Sequence, residues 1–326
     1  MSLPSVLKTW QYNVNNAVTA QGSAIADNRR LLRLIKDALK GFGSGAWTVR
    51  GSSNSVSANM AGTDLWAADS DIVFVQTTGV HSWIVLRQLG MGAAGVELLI
   101  DLVAGSSFAN TGGYGATIRI ASVQDGGFTG GTTSVAPTAV NQQTLNTGDF
   151  STLTTDLATR WNVMQSTDGA STRVWVYAAG TLRYIWIIDA PVNKVSAWND
   201  AFIGVAFTGS TATAANSYGY TYWKSVINDT LASIALSTEG TASGGLINEA
   251  FCGAIPSDLT AEYVMLPTGI CCNTTGVRGR HGVVNDLWYS SSSTLQGDTY
   301  PGNGSATFVN VGPWIFPWNG GSVNLT

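Results

Sequence analysis

Most of the chain after Trp47 consists of short apolar runs separated by clusters of Gly, Ser, Thr and Asn. Runs of this length that are rich in Val, Ile and aromatic residues are typical of β-strands. The pattern therefore predicts a mainly β fold with a β-sandwich or jelly-roll-like body. The predicted strands are Trp47–Gly51, Ile72–Gln76, Ser82–Gln88, Val96–Leu102, Ala116–Ala121, Arg173–Ala178, Leu182–Ile188, Phe202–Phe207, Tyr218–Trp223, Glu262–Leu266, Asp286–Tyr289 and Thr307–Val311.

Residues 173–188 form the clearest predicted hairpin, with its turn at Ala179-Gly180. Apolar and aromatic residues occupy both of its faces, so it needs cover on both sides, inside a sandwich or at a subunit contact. Other segments are predicted to be non-strand. Short helices are expected over Asp149–Met164 and Val195–Asn199, and a long polar loop over Gly126–Thr147.

The first 45 residues differ from the rest of the chain. Trp10, Tyr12 and Val14 alternate with polar residues, which predicts a short extended arm. A helix should follow, with Asp27 or Asn28 as its cap. The apolar stripe of this helix consists of Leu31, Leu34, Ile35, Ala38 and Leu39.

A glycine-rich hinge, Phe42–Gly45, separates this helix from the body. The chain is therefore expected to have two parts: an N-terminal arm with a docking helix at residues 1–45, and a β-rich body at residues 46–326. A C-terminal sub-lobe that begins near residue 241 is an alternative division of the body. The apolar stripe of the helix is expected to dock on a neighbouring subunit.

Charged residues are scarce in this chain. They make up only 11% of it, while 44% of the residues are apolar. An ordinary soluble domain has about 25% charged residues, and charge keeps the surface of an isolated protein soluble. A chain with so little charge is expected to cover much of its surface with other chains. The composition therefore predicts a building block of an assembly.

The basic residues are unevenly distributed. The net charge is −4, which argues against the concentrated basic surface that nucleic-acid binding needs. Six of the 16 basic residues lie within the first 40 positions, where they are expected to meet an acidic surface of a partner. These six are Lys8, Arg29, Arg30, Arg33, Lys36 and Lys40.

The cysteines and the longest apolar run bear on the compartment. Cys252, Cys271 and Cys272 form an odd set with two adjacent members, which favours reduced thiols in a cytosol over a disulfide framework. A bridge from Cys252 to one of the adjacent pair stays open. The longest apolar run, residues 83–103, contains three charged residues, so no membrane span is expected.

No motif for catalysis, a cofactor or a metal is complete. Gly90–Gly95 matches the dinucleotide-binding pattern, but a strand follows instead of a helix, so a hairpin loop is predicted. His81 and His281 lack a serine elbow or further ligands, which predicts structural or surface roles. The densest acidic group is expected to be a solvated turn, and it consists of Asp64, Asp69 and Asp71.

Tryptophan is abundant, with 12 copies. Trp175 and Trp186 lie within strong strands and are expected in the core or at an interface. Trp314 and Trp318 lie beside prolines near the end of the sequence and are expected to be partly exposed. These two are therefore candidates for stacking on the sugar rings of a glycan.

Several short motifs resemble uncharacterised virion proteins of tailed bacteriophages. The motifs are Asn28–Leu32, Gly62–Trp66, His81–Leu86, Arg278–Gly282, Asp286–Tyr289, Gly297–Pro301 and Pro317–Asn319. The resemblance implies a structural role in the particle, with copies of this chain and other virion proteins as partners. It also implies a virion location after assembly in the host cytoplasm. It assigns no catalytic residue.

Three functional hypotheses follow. The first is a non-enzymatic homo-oligomeric component of the tail, collar, fibre base or outer layer that attaches through its N-terminal segment. The second is a glycan- or receptor-binding module at the particle surface that uses Trp314 and Trp318. The third is a polysaccharide-degrading tailspike-type enzyme, which would need a carboxylate pair. The candidate assembly interface of the first hypothesis is Trp10, Tyr12, Arg29, Arg30, Leu31, Leu34, Ile35 and Leu39.

Overall fold

The fold is taken from a computed structural model of the chain. The structure describes residues 6–16, 33, 35–37, 39–40, 47–54, 57–66, 81–88, 95–103, 115–140, 142–149, 160–178, 181–189, 202–208, 217–224, 231–235, 245–247, 266–274, 277–289, 299–301, 307–311 and 314–318.

The described part of the chain is mainly β, with several antiparallel sheets and a β-sandwich-like body, as the sequence predicts. Nineteen strands are described, and they form three sheets. The strands are β1 (Trp10–Asn16), β2 (Thr48–Ser53), β3 (Ala58–Asn59), β4 (His81–Gln88), β5 (Val96–Val103), β6 (Gly115–Ser122), β7 (Gln142–Asp149), β8 (Arg160–Ser166), β9 (Ser171–Ala178), β10 (Thr181–Asp189), β11 (Phe202–Thr208), β12 (Ser217–Lys224), β13 (Leu231–Ala235), β14 (Gly245–Ile247), β15 (Leu266–Thr274), β16 (Val277–Tyr289), β17 (Thr299–Pro301), β18 (Thr307–Val311) and β19 (Trp314–Pro317).

The strand orders show which parts of the sequence meet. The seven-stranded sheet has the order β1-β8-β9-β10-β11-β12-β13, so the first strand of the chain lies at its edge beside β8. The C-terminal sheet has the order β14-β15-β16-β19-β18-β17. The third sheet, here called the β2–β7 sheet, has the order β3-β2-β4-β5-β6-β7.

The chain divides into two compact units. The first comprises residues 1–12, 164–175 and 181–325, and the second comprises residues 13–163, 176–180 and 326. The units therefore divide within the first 45 residues rather than after them. Whether residues 1–45 behave as a separate arm, and whether a sub-lobe begins near residue 241, both stay predictions.

Aromatic side chains join two sheets of the first unit. The Trp175 ring on β9 lies 5.3 Å from the Phe316 ring on β19 and 5.5 Å from the Trp318 ring, measured between centroids. All three side chains are buried. Tilted and edge-on aromatic pairs at this spacing add to the stabilisation from apolar burial. The seven-stranded sheet and the C-terminal sheet thus share a core of sandwich type.

The second unit has its own core on the β2–β7 sheet. Trp83, Val85 and Leu99 on adjacent strands form a buried cluster with Phe128 and Ala136 of the following loop.

The predicted polar loop is correct in part. Residues 123–140 contain no named strand, but two of their apolar side chains cover the sheet. Its last residues are instead strand β7. This strand lies at an edge of the sheet, where polar residues are readily accommodated.

Most predicted strands in the described residues occur with shifted ends, and the clearest error is a predicted helix. Asp149–Met164 was expected to be helical, but Arg160–Ser166 is strand β8, which pairs between β1 and β9. Two sheet neighbours outweigh a helical spacing of apolar residues. The hairpin predicted around Gly90–Gly95 is confirmed by the antiparallel pairing of β4 with β5. The Ile72–Gln76 strand and the Val195–Asn199 helix lie outside the described residues.

Candidate functional site

One carboxylate in the first unit binds the N-terminal segment. Asp286 Oδ1 accepts a hydrogen bond from the backbone N–H of Leu7 at 2.8 Å. Asp286 Oδ2 accepts from the backbone N–H of Lys8 at 2.8 Å and from Trp10 Nε1 at 2.9 Å. We call this arrangement the N-terminal clasp; it comprises Leu7, Lys8 and Trp10 together with Ser171, Arg173 and Asp286.

A bulge in β16 directs the Asp286 side chain. The register of β15 and β16 shifts between Pro267, which pairs with Trp288, and Thr268, which pairs with Val284. Asp286 lies in the resulting bulge and has a φ of 56°, the left-handed region. Aspartate tolerates this region better than most residues with a side chain, and a bulge commonly re-aims a side chain. The local backbone thus explains why a carboxylate leaves the strand and meets the N-terminal segment.

Arg173 on β9 organises the other side of the clasp. Its Nη1 donates to the Asp286 carbonyl oxygen at 2.9 Å, and its Nη2 donates to the Asn285 carbonyl oxygen at 2.7 Å. The guanidinium carbon also lies 4.4 Å from the centroid of the Trp10 ring, a cation–π contact. Arg173 is 0% exposed. The bulge and the first strand are therefore held by the same side chain.

A buried acid balances this arginine. Asp189, at the end of β10, accepts from Arg173 Nη2 at 2.8 Å and from Ser171 Oγ at 2.6 Å. Burial raises the pKa of the Asp189 carboxyl, although the positive charge of Arg173 acts in the opposite direction. Burial likewise lowers the pKa of the Arg173 guanidinium against the field of Asp189. Both charges depend on their pairing, since an unpaired charge in such a site is strongly destabilising.

Lys8 links the clasp to a turn at the surface. Its Nζ donates to Ser171 Oγ at 2.9 Å and lies 3.5 Å from Asp168 Oδ2. Burial acts to raise the pKa of Asp168, but hydrogen bonds from Ser166 Oγ and the Ala170 N–H, together with Lys8, lower it below its usual value. The ammonium group therefore joins the buried polar network to a more exposed carboxylate.

The first unit buries one predicted interface residue, Trp10, and partly covers a second, Tyr12. Trp10 is buried within this chain, so its ring does not lie on the surface of the folded copy. Tyr12 is half-buried, and its ring meets the edge of Trp318 at a centroid distance of 4.9 Å. Burial raises the pKa of the Tyr12 hydroxyl. The extended arm is thus an integral strand whose aromatic residues face the core of the first unit.

The predicted docking helix is likewise anchored within its own chain. Residues 33, 35–37 and 39–40 are helical, and Ile35 and Leu39 are buried. Lys36 is also buried, and its Nζ donates to Asp64 Oδ2 at 2.8 Å and to the Trp66 carbonyl oxygen at 2.9 Å. The described part of the apolar stripe therefore packs inside the second unit instead of awaiting a partner.

Two N-terminal cations meet an acid of this chain rather than a partner surface. Lys36 and Lys40 both contact Asp64 Oδ2, at 2.8 Å and 3.3 Å. Burial acts to raise the pKa of Asp64, but hydrogen bonds from Lys36, the Trp66 N–H and Lys40 lower it. Asp64 is therefore an ion-pair partner and not a freely solvated turn residue. The remaining interface candidates, Arg29, Arg30, Leu31 and Leu34, lie outside the described residues, as do Asp69 and Asp71.

The structure also corrects one glycan candidate. Trp318 is 2% exposed and packs on Trp175, so it is inaccessible to a sugar ring. The neighbouring prolines indicated a loop, but Pro317 is the last residue of β19, and Trp318 N donates to the Thr307 carbonyl oxygen. Trp314 begins β19, and its side chain is not among the described ones.

The second unit contains a separate buried carboxylate that fixes a loop. Glu97 on β5 accepts from the Phe128 N–H at 2.6 Å and from Arg87 Nε at 2.7 Å. It is 0% exposed. His81 Nδ1 lies 2.7 Å from Asp101 Oδ1 on the same sheet. Glu97 and His81 therefore each contact an ionisable side chain of the same sheet: Glu97 contacts Arg87, and His81 contacts Asp101.

Sequence reasoning did not identify the central residues of the clasp. The sequence analysis places Arg173 only at the start of an apolar hairpin and Asp286 only at the start of a strand, and it assigns no role to Asp189, the partner of Arg173. A lone charge in an otherwise apolar strand was the available signal, because such a charge needs a buried partner. The identity of that partner depends on contacts more than 100 residues away, such as Arg173 with the Asp286 carbonyl.

Within the residues that the structure describes, no group of three or more His, Cys, Asp or Glu side chains is placed to hold a metal ion. No described helix is both long and apolar enough to cross a membrane. The side chains of Cys271 and Cys272 on β15 are not described, and Cys252 lies outside the described residues.

Comparison of the chain with models of known protein families and with curated protein sequences finds no match.

Proposed function

We propose that this chain is a non-enzymatic structural component of the virion of a tailed bacteriophage. The observation that carries the proposal is the shortage of charged residues in the chain. The chain has 16 basic and 20 acidic residues over 326 positions. A solitary protein of this size depends on surface charge for solubility, so a chain with this composition is suited to a surface covered by neighbours.

Some of these few charged side chains are buried and are therefore absent from the surface. Six charged side chains are at most 3% exposed, so they contribute nothing to solvation of the exterior. They are Lys36, Glu97, Asp101, Arg173, Asp189 and Asp286. Charged residues are seldom buried unless they are paired. The chain thus uses scarce charges to fix internal geometry, which suits a part whose shape must be reproduced in every copy.

The contacts of the buried acids favour a structural role over a catalytic one. Glu97 holds a loop, Asp286 holds the N-terminal segment and Asp189 neutralises Arg173. A catalytic acid or base needs to reach a substrate atom at hydrogen-bond distance. These carboxylates instead accept hydrogen bonds from donors of the protein itself. The described part of the chain therefore offers little support for the polysaccharide-degrading alternative.

The resemblance to virion proteins adds the biological setting. It includes the Asp286–Tyr289 motif, whose first residue holds the N-terminal segment. Trp318 is buried and therefore cannot stack on a sugar ring. The glycan-binding alternative now depends on Trp314. The partners under our proposal are copies of this chain and other virion proteins.

The direct test is quantitative mass spectrometry of purified phage particles from cells infected with the phage that encodes this chain. We expect the chain in the particles at a fixed copy number relative to the other virion proteins. Particles made while synthesis of the chain is repressed should lack this component, and addition of the purified chain should restore it. A chain that is abundant in the lysate and absent from washed particles would contradict the proposal.

A further inference from the structure

We infer that the N-terminal clasp is an exchangeable contact, in which Asp286 of one copy binds Leu7, Lys8 and Trp10 of a second copy. The inference rests on the proposed function and specifies how its N-terminal segment joins neighbouring copies. The partner is a second copy of this chain.

The ligand side of the clasp is short and self-contained. Two backbone N–H groups, one indole N–H and one ammonium group come from residues 7–10. The same groups would reach the site in the same geometry if another copy supplied the segment. The Lys-x-Trp pattern occurs once in the sequence, at Lys8 and Trp10. The sequence thus contains a single segment with this pattern.

The receptor side of the clasp is organised by contacts of its own. Arg173 binds the carbonyl oxygens of Asn285 and Asp286, and its Nη2 pairs with Asp189. Ser171 Oγ donates to Asp189 Oδ1. None of these four hydrogen bonds involves residues 7–10. The receptor therefore keeps its internal bonds when the segment leaves, and a preformed site limits the ordering cost of rebinding.

The position of β1 makes its replacement topologically simple. Among the described strands it lies at the edge of the seven-stranded sheet, with β8 as its neighbour. The residues that precede β1 make contacts that are distant in sequence: Leu7 meets Asp286 279 residues later, and Lys8 meets Ser171 163 residues later. Local chain connectivity therefore does not determine which copy supplies the strand.

The number of residues between β1 and the described helix sets an upper limit on the reach of the segment. Sixteen residues separate Asn16, the end of β1, from Arg33, the first described helical residue. A chain of this length spans at most about 55 Å when extended. Exchange of an identical element leaves every contact in place, so the balance depends mainly on the effective concentration of the competing segment. A neighbour fixed in a particle supplies such a concentration.

The test uses the intact chain and its own ion pair. Unlabelled and ¹⁵N-labelled chains are mixed in equal amounts, unfolded in urea, refolded at high concentration and separated by size. A carbodiimide, which joins an amine to a carboxylate without a spacer, then couples Lys8 to Asp168, whose atoms are 3.5 Å apart. Mass spectrometry determines whether each coupled pair comes from one isotope or from both.

In the oligomer, random exchange predicts that about half of the Lys8–Asp168 products carry both isotopes. Lys40 and Asp64, 3.3 Å apart within the second unit, are the internal control and should couple within one isotope only. Single-isotope Lys8–Asp168 products, no such product at all, or no oligomer would overturn the inference. Equal mixing at both pairs would also overturn it, because the exchange would then not be specific to the clasp.

This outcome is separate from the test of the proposed function. A chain that enters particles but shows only single-isotope coupling would retain its virion role and lose the exchange mechanism. A chain that exchanges its clasp in solution but is absent from particles would lose the virion role.

Discussion

The indole of Trp10 donates a hydrogen bond to Asp286, 276 residues later in the chain, at 2.9 Å. The same carboxylate accepts the backbone N–H groups of Leu7 and Lys8. One side chain in a bulge of β16 therefore holds three donors from four consecutive residues. Because each of these donors contacts a charged acceptor, the bonds belong to the stronger class of protein hydrogen bonds.

Substitution of Asp286 should release the N-terminal segment. Asp286→Asn retains a side chain that tolerates a positive φ, but it replaces one acceptor oxygen with an NH₂ donor. We expect the free energy of unfolding to fall by about 1.5–3 kcal/mol, the usual range for a hydrogen bond to a charged group. Urea unfolding measures this loss.

Limited proteolysis near residue 10 provides a second measurement for the same variant, and cleavage there should become faster. Asp286→Gly is the control for backbone strain, since it relieves the positive φ of 56° and removes both acceptor oxygens. Unchanged stability in both variants would show that the clasp does not hold the segment in solution.

The Arg173–Asp189 pair should show strong coupling in a double-mutant cycle. Arg173→Met or Asp189→Leu alone leaves an unpaired buried charge, with an expected loss of about 3–5 kcal/mol. The double variant should lose less than the sum of the two single losses, because it leaves neither charge unpaired, although the hydrogen bonds from Arg173 to the Asn285 and Asp286 carbonyl oxygens are still lost. Urea unfolding of the four proteins measures the coupling, and additive losses would contradict a direct ion pair.

Two glycines in the loop after β6 form a matched pair for a test of the Glu97 contact. A Cβ at Gly127 would overlap Glu97 Oε2, whereas a Cβ at Gly130 would meet no atom within 4 Å. Both have a positive φ, 64° and 78°. Gly130→Ala should therefore cost only the backbone strain, about 1–2 kcal/mol.

Gly127→Ala should cost clearly more, because the methyl group would also displace the carboxylate that accepts the Phe128 N–H. Thermal unfolding of the two variants gives the comparison. Equal losses would show that Glu97 and the loop adjust without penalty.

Stability should fall in acid through Asp64 and Asp168. Hydrogen bonds and lysine charges outweigh burial at both residues and hold each pKa below the ordinary value of 3.8. A lowered carboxyl pKa adds stability that is complete above the unfolded value and is lost as pH falls through the folded value. We therefore expect unfolding to become easier below about pH 4.

Asp64→Asn tests this acid sensitivity at the helix that contains Lys36. The variant should be less stable than the parent at pH 6, and the difference should shrink toward pH 2 as Asp64 of the parent becomes protonated. Urea unfolding at a series of pH values measures both curves. A difference that is constant over this range would exclude a role for the Asp64 charge.

The strands of the body were predictable because their information is local. β5 and β18 coincide with short apolar runs between polar clusters, so the composition and length of these runs were enough to identify the strands. β7 and β8 were not predicted correctly, because their conformation depends on their sheet neighbours. Local spacing does not report such pairing.

The candidate site was harder to predict because it is built from distant residues. The alternation of Trp10 and Tyr12 correctly indicated an extended segment, but not that the segment would be part of this chain's own sheet. Burial of Trp10 depends on Arg173 and Asp286, which lie at the far side of long stretches of sequence. A single sequence contains no signal that links such positions.

The separation between Leu7 and Asp286 also has a consequence during synthesis. The segment emerges from the ribosome before its acceptor, which is made 279 residues later. At usual rates of translation this interval lasts about 14–55 s. Throughout that interval the tryptophan has no completed pocket in its own nascent chain. Polysomes that carry several such chains would therefore bring unfilled segments and newly finished acceptors together, and the order of translation itself would favour pairing between sister molecules.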